Sequence, residues 1–326
     1  MSKKVLITAT VQSHICQFHK PLVKMLHENG YEVHTAARDN LAEKNGLKLD
    51  FADKVYNVPF SRSPVSKNNI KAYYAKSDDE IELPIIMYHS LLKSQKSTYI
   101  VHPNIFEEDL KYIQSKGYST ITMTELINYV YNDASLPEKP IIITFDDGYY
   151  NNLSYAVPLL HKYNMKAVVS IVGEYSDRYT ESDEANPNYG YLRWKDINEL
   201  ITDGCIEFQN HTYNSHSMNN GRNGCKKTSS ESAEHYSNFL SNDLNKLQEE
   251  FRNNCNGYQP NTFTYPFGAV SKESNSIVKD LGFKASLSCT SGINIITKDP
   301  NCLYLLKRNN RVPEISTEQF FMKLLN

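Results

Sequence analysis

The sequence predicts an α/β protein: seven or eight strands alternating with helices over a barrel-sized region, preceded by a small partial Rossmann-like α/β segment. Three observations carry this reading. Four helical segments close on a glycine that leads into an apolar stretch, at Gly30, Gly117, Gly204 and Gly282. Glycine tolerates the left-handed conformation that ends a helix, so repeated helix–Gly–strand units point to mostly parallel strands. The apolar runs, such as Val5–Ile7, Ile141–Ile143 and Ala167–Val172, are strand-sized and far below the ~18 residues of a membrane span. The chain of 326 residues is 40% hydrophobic and 22% charged, ordinary globular usage and enough for two domains. Its net charge of −2 gives no basic footprint for nucleic acid, and none is expected as a partner.

Taken in order, Val5–Thr10 reads as a buried strand. A helix with Leu22, Met25 and Leu26 follows, then strands at Tyr31–Ala36 and around Lys54–Val58. These make half of a doubly wound sheet and define a segment over 1–76. The polar run Lys76-Ser77-Asp78-Asp79-Glu80 sets a boundary near 76–82, and a larger domain spans 83–326. Its strands are expected at 84–89, 118–121, 140–146, 166–172, 205–210, 262–266, 284–288 and 303–308, a barrel-sized set. Asn104 with Glu107, and Ser316 with Gln319, have capping-box spacing ahead of apolar helical faces. The stretches 174–191 and 214–234 read as loops. The positive N-terminus lacks a cleavage site of small residues, which implies a cytoplasmic location, with a membrane-peripheral or cell-surface one as the alternative. Six cysteines with no CxxC pair imply reduced thiols and no cysteine zinc knuckle.

Four strand ends carry chemistry. Pro140–Thr144 is a buried-strand pattern that stops at Phe145-Asp146-Asp147-Gly148. Two adjacent carboxylates at a strand's C-terminal end need a cation or a proton, although Asp-Gly also serves as a plain acidic turn. His211 and His216 leave the 205–210 strand five residues apart. With an Asp from another strand end they can give three ligands to one Zn²⁺ and leave positions open. Tyr265-Pro266-Phe267-Gly268 ends a strand in a fixed turn whose backbone N–H suits an oxyanion. Met87-Tyr88-His89 ends another strand in a histidine, either structural or a general acid. His19, His27, His34, His161 and His235 lack such company and read as surface or helix residues.

Together, Thr144–Gly148, the His211/His216 pair, Tyr265–Gly268 and Met87–His89 resemble the polysaccharide deacetylases of carbohydrate esterase family 4 (the NodB homology domain), over about residues 83–326. The resemblance implies a distorted (β/α)7–8 barrel and a divalent transition metal, usually zinc. It also implies hydrolysis of N-acetyl groups on an amino-sugar polymer or oligomer. Carried over, Asp146 matches the base, and Asp147, His211 and His216 match the metal ligands. Phe267 stands where a backbone amide serves the oxyanion hole. The family's late Leu-x-His motif and the arginine before its Pro-Tyr motif are missing. The His spacing and early Tyr-His resemble the circularly permuted branch acting on poly-N-acetylglucosamine, so the acid is assigned to His89, in protonated form, with Arg308 orienting Asp146. Residues 4–33 are similar to the start of family 4 glycosyltransferases, without the domain that would bind a sugar nucleotide. The alternatives are a catalytically inactive carbohydrate-binding protein or a partner subunit of a glycosyltransferase.

Overall fold

The computed structural model describes residues 3–44, 47–58, 80–94, 97–219 and 221–325. The chain forms two compact units, Met1–Asp78 and Asp79–Asn326. Residues 76–79 of the expected linker, and Val58's neighbours from 59 onward, lie outside the described residues.

The smaller unit holds β1 (Lys3–Val11), α1 (Gln12–Phe18), α2 (Lys20–Glu28), β2 (Tyr31–Arg38) and β3 (Lys54–Asn57). The three strands are parallel in the order β1–β2–β3, with Val5 opposite Val33 and Thr35 opposite Val55. Pro21 sits in the first turn of α2, where its missing N–H costs nothing. Val23 carries the burial of that helix, packing with Ile7 and Val33, while Leu22 and Met25 stay exposed.

In the larger unit the main sheet holds β4 (Ile85–Tyr88), β5 (Ser119–Thr120), β6 (Pro140–Asp147), β7 (Ala167–Ile171), β8 (Ile206–Asn210), β9 (Thr262–Thr264), β10 (Ala285–Leu287) and β11 (Asn309–Asn310). The parallel path runs β10-β9-β8-β7-β6-β4-β11, with β5 added beside β6. The path nearly closes on itself: Leu306 bridges Leu287 in parallel register, and Asn309 and Asn310 then pair with Ile86 and Met87. A distorted barrel results. The strand expected at 303–308 is displaced. Pro300–Leu303 forms a short 3₁₀ turn capped by Asp299, Leu305 takes a left-handed φ of 59°, and pairing starts only at Leu306.

Helices wrap this sheet, among them α3 (Pro103–Ser115), α4 (Met123–Asn132), α5 (Val157–Tyr163), α6 (Gly173–Ser182), α7 (Trp194–Asp203), α8 (Ala233–Asn254), α9 (Ser274–Asp280) and α10 (Thr317–Leu325). The capping expected of Asn104 belongs to His102, whose Nδ1 accepts from the Asn104 N–H at 3.1 Å with Pro103 leading the helix. Ser316 and Gln319 do cap reciprocally, at 3.2 Å each way. Helix α6 occupies part of the stretch read as a loop. It buries only Gly173 and Ser176, so it shows no apolar stripe. A Cβ at Gly173 would stand 2.7 Å from the Tyr213 ring, which is why a glycine opens this helix.

The buried strand β6 sorts its residues by alternation. Ile141, Ile143 and Phe145 pack with Phe106, Leu110 and Leu160. Ile142 points the other way, into a cluster with Ile85, Val168 and Leu287. Positions 144 and 146 follow on that second side and are polar. The inner lining thus changes from Ile142 and Val168, through Thr144 and the Ser170–Thr264 hydroxyl pair at 2.7 Å, to charged groups at the strands' C-terminal ends.

Candidate metal centre and active site

Asp146 ends that lining. Arg308, fully buried, grips its carboxylate with two parallel hydrogen bonds: Nη1 donates to Oδ1 at 2.6 Å and Nη2 to Oδ2 at 2.8 Å. Nε of Arg308 donates to the Ser288 carbonyl at 2.8 Å, which fixes the guanidinium plane. Burial alone would raise the Asp146 pKa. Arg308 first, then His211, overturn this and hold the carboxyl well below the usual range. Asp146 is therefore ionised and immobile. The contact expected between Arg308 and Asp146 is present.

Asp147 faces elsewhere. Its φ of 71° is left-handed, and Gly148 follows at 77°. A Cβ on Gly148 would stand 2.8 Å from Ile171 Cγ2, so only glycine fits. The twist carries the Asp147 side chain toward the two histidines. His216 Nε2 lies 3.1 Å and His211 Nε2 3.5 Å from Asp147 Oδ1. Neither is aligned to donate, and Oδ1 is buried without a hydrogen-bond partner. One ligand atom from each of the three residues falls within 4.8 Å of the others. Donors that converge on a shared volume, rather than on each other, fit a cation between them.

The two imidazoles suit that role. His211 Nδ1 donates to the Thr264 carbonyl at 2.8 Å, which leaves Nε2 as a lone-pair donor toward Asp147. Burial would lower the His211 pKa, but the nearby Asp147 carboxylate, with the charge of Asp146, raises it. Burial, and then His211, push His216 down to about 4, so it is neutral at pH 7 and free to ligate.

His89 follows β4 and its ring lies 4.7 Å from that of Tyr99. Its Nδ1 is buried without a partner. Burial pushes its pKa below the ordinary histidine value, against the pull of Asp146 and Asp147. The resting imidazole is therefore neutral at pH 7. Phe267 takes a φ of 57° in the turn after β9, and its half-exposed ring sits 4.5 Å from that of His216. All seven expected residues thus cluster at one end of the barrel.

Sequence reasoning missed the wall beside them. Tyr149 stacks on Tyr191 at 4.9 Å, and Tyr175 lies 4.4 Å from Tyr191 and 6.4 Å from His216. Burial, and then the Asp147 charge, push Tyr149 up to about 12. The position of Tyr149 directly after Asp-Asp-Gly was the available signal; Tyr191 had none, since it reaches the site through a bridge to Tyr149. Four histidines set aside earlier meet carboxylates: His27–Asp53 at 2.7 Å, His34–Glu32 at 2.7 Å, His161–Asp203 at 3.0 Å and His235–Glu231 at 2.6 Å. His161, Asp203 and Cys205 also bring three ligand-type atoms together, at an exposed place where Asp203 Oδ1 already accepts from the Cys205 N–H at 3.2 Å.

The C-terminal rim of this parallel barrel thus pairs a clamped carboxylate with an Asp-His-His set able to hold a cation. Residues 133–286 match the family model of polysaccharide deacetylases. YxkH of Bacillus subtilis (strain 168), named as a polysaccharide deacetylase, is 36% identical over 108 residues, 33% of this chain. The chain spans only 38% of the length of YxkH. The poly-beta-1,6-N-acetyl-D-glucosamine N-deacetylase of Staphylococcus aureus (strain MRSA252) is 24% identical over 220 residues, 68% of this chain and 70% of that protein. Among solved structures, the Streptococcus pyogenes deacetylase PplD in complex with acetate superposes with a TM-score of 0.60. That match has 22% identity, covering 75% of this chain and 98% of that one, and it establishes the fold. Within the larger unit, residues 133–286 are therefore similar to polysaccharide deacetylases.

Proposed function

We propose that this protein is a metal-dependent hydrolase that removes N-acetyl groups from amino-sugar residues of a polysaccharide or its precursor. The observation that carries the reading is the buried convergence of Asp147, His211 and His216 beside the Asp146–Arg308 clamp. Two imidazoles and one carboxylate suit zinc, with other first-row divalent metals as the next choice. A cation held there would supply Lewis acidity, polarising the acetamide carbonyl and making water easier to deprotonate.

The chain's own groups do the rest. Asp146, ionised and held by Arg308, orients water and accepts its proton as the water oxygen adds to the carbonyl carbon. The backbone N–H of Phe267 is our candidate donor to the oxyanion. Neutral His89 takes up the proton and delivers it to the amine as the C–N bond breaks, leaving acetate and a free amino sugar. Its depressed pKa favours giving that proton away. The S. aureus relative bears the name of a poly-N-acetylglucosamine deacetylase. This supports an N-acetylated amino-sugar polymer as the substrate class. A cytoplasmic location, acting on a precursor, remains part of the proposal and is checked by cell fractionation.

The test is acetate release from N-acetylglucosamine oligomers by metal-stripped protein, with and without added Zn²⁺, beside Asp147→Ala. Zinc-restored release that the variant lacks supports the reading. Stoichiometric zinc uptake with no release from any oligomer sinks it in favour of a binding protein.

A further inference from the structure

Beside the metal centre lies a second concavity of about 520 Å³, within the range of small-ligand sites. Asn223, Lys226, Phe267, Ser288, Thr290 and Lys307 line it. Phe267 belongs to both places, since its ring also rests 4.5 Å from that of His216. The concavity therefore begins one side chain away from the candidate metal ligands.

Its charge is one-sided. Cations nearby are neutralised: Arg222 pairs with Glu231 at 2.7 Å and Lys227 with Glu273 at 2.9 Å. Lys226 and Lys307 have no acidic partner among the described residues. Both stand on fixed backbone. The Lys307 N–H donates to Asn294 Oδ1 at 2.8 Å, and Asn294 Nδ2 donates to the Lys307 carbonyl at 2.9 Å. The Lys307 stem lies across Gly292, where a Cβ would meet its Cδ at 3.0 Å. The Lys226 N–H donates to the Asn223 carbonyl at 3.0 Å, and the Lys226 carbonyl accepts from Arg222 Nη1 at 2.9 Å. The whole chain carries a net charge of −2, so these two unpaired ammonium groups are a local feature and not a general basicity. Two lysines lining one concavity together with Thr290 and Asn223 make it rich in donors for anionic oxygen.

We infer that this concavity binds an acidic substituent of the glycan, a carboxylate or a phosphate carried by the sugar under attack or its neighbour. The preferred substrate is then an anionic amino-sugar polymer and not a neutral one. This rests on the deacetylase reading for its substrate class, so the experiment separates the two.

Full-length Asp146→Asn protein, loaded with Zn²⁺, is titrated calorimetrically with three oligomers of equal length. One is neutral N-acetylglucosamine, one carries the lactyl carboxylate of N-acetylmuramic acid, and one carries a 6-phosphate. The acidic oligomers should bind about fivefold to tenfold tighter than the neutral one, the size expected for two solvent-accessible charge contacts. Whichever acid shows the gain identifies the substituent. The gain should shrink in high salt. Lys226→Gln with Lys307→Gln should abolish it while leaving the neutral oligomer's affinity unchanged. Equal affinity for all three, no binding by either acidic oligomer, or a preference that survives the double substitution would each overturn the inference. Acetate release by the wild type on the same oligomers reads the other claim. Release with no difference in KM removes the anion site and keeps deacetylation. A charge preference in binding with no release from any oligomer keeps the anion site and removes deacetylation.

Discussion

Replacing Arg308 by methionine isolates what the clamp does. The substitution keeps most of the side-chain volume and removes the guanidinium that offsets Asp146 with two direct hydrogen bonds. Asp146 is 2% exposed, so its carboxylate would be left buried and largely uncompensated. Breaking such a pair costs about 3–5 kcal/mol at pH 7. The sole tryptophan, Trp194, is buried in α7 of the same unit and reports its unfolding by fluorescence. With a urea slope of about 3 kcal/mol/M, the midpoint of metal-stripped protein should fall by about 1–2 M. The pH dependence sharpens the test. In the wild type the Asp146 pKa is depressed, so its stabilisation is complete above the unfolded value of about 3.9 and is lost only as pH falls below that. In Arg308→Met the raising effect of burial is no longer opposed by the guanidinium. The folded pKa then lies above the unfolded one, and the penalty is relieved as pH falls through it. The gap between the two proteins should narrow by about half between pH 7 and pH 4. A gap below about 1 kcal/mol at pH 7, or one that is flat with pH, would refute the clamp as the reason Asp146 is ionised.

Asp147→Ala should lose both zinc and turnover, whereas Asp146→Asn should keep zinc by elemental analysis and lose turnover; zinc retained in Asp147→Ala would remove that residue from the ligand set. His211 is raised above 6.5 and His216 is lowered to about 4. Metal uptake at pH 6.5 should therefore release between about half a proton and one proton, and the release should fall as pH rises. Calorimetry in buffers of different ionisation enthalpy measures this, and a release near two at pH 6.5 contradicts the assigned charge states. Phe267→Ala should keep turnover within about tenfold, because the proposed donor is the backbone; a loss beyond a hundredfold would transfer the role to the ring. Gly148→Ala should cost about 1–3 kcal/mol and weaken zinc binding, since its Cβ would meet Ile171 Cγ2 at 2.8 Å with φ at +77°. Unchanged zinc affinity would show that Asp147 does not depend on this turn.

The rim was legible in the sequence wherever a buried strand runs into a reactive residue. Pro140–Asp147 reads as strand because every position but Thr144 is apolar until the carboxylates, and all eight residues are buried. His211 reads the same way after Ile206–Asn210. What stayed hidden depends on pairing across long separations. The closing strand is two asparagines, with no apolar run to announce it, and it forms because Asn309 and Asn310 find Ile86 and Met87. Helix α6 buries a glycine and a serine, so its sequence carries no amphipathic period. Tyr191 reaches the site through Tyr149 and Tyr175, and its own surroundings in sequence resemble any loop.

The arrangement also explains how two neighbouring carboxylates coexist in a buried site. On an unbroken strand, residues 146 and 147 would simply alternate sides. Here Asp146 keeps strand geometry and meets a guanidinium whose carbonyl and carboxylate contacts are all satisfied. Asp147 leaves strand geometry through a left-handed φ and turns its carboxylate to the two imidazoles. Each charge is thus matched separately, one permanently by Arg308 and the other conditionally by whatever cation the histidines help to hold. The first match makes an ionised, oriented acceptor available in every state of the protein. The second leaves Asp147 Oδ1 buried and without a hydrogen bond until a cation arrives. That asymmetry supports the proposed roles: the carboxylate that is fully satisfied would handle the proton, and the one without a hydrogen-bond partner would hold the metal.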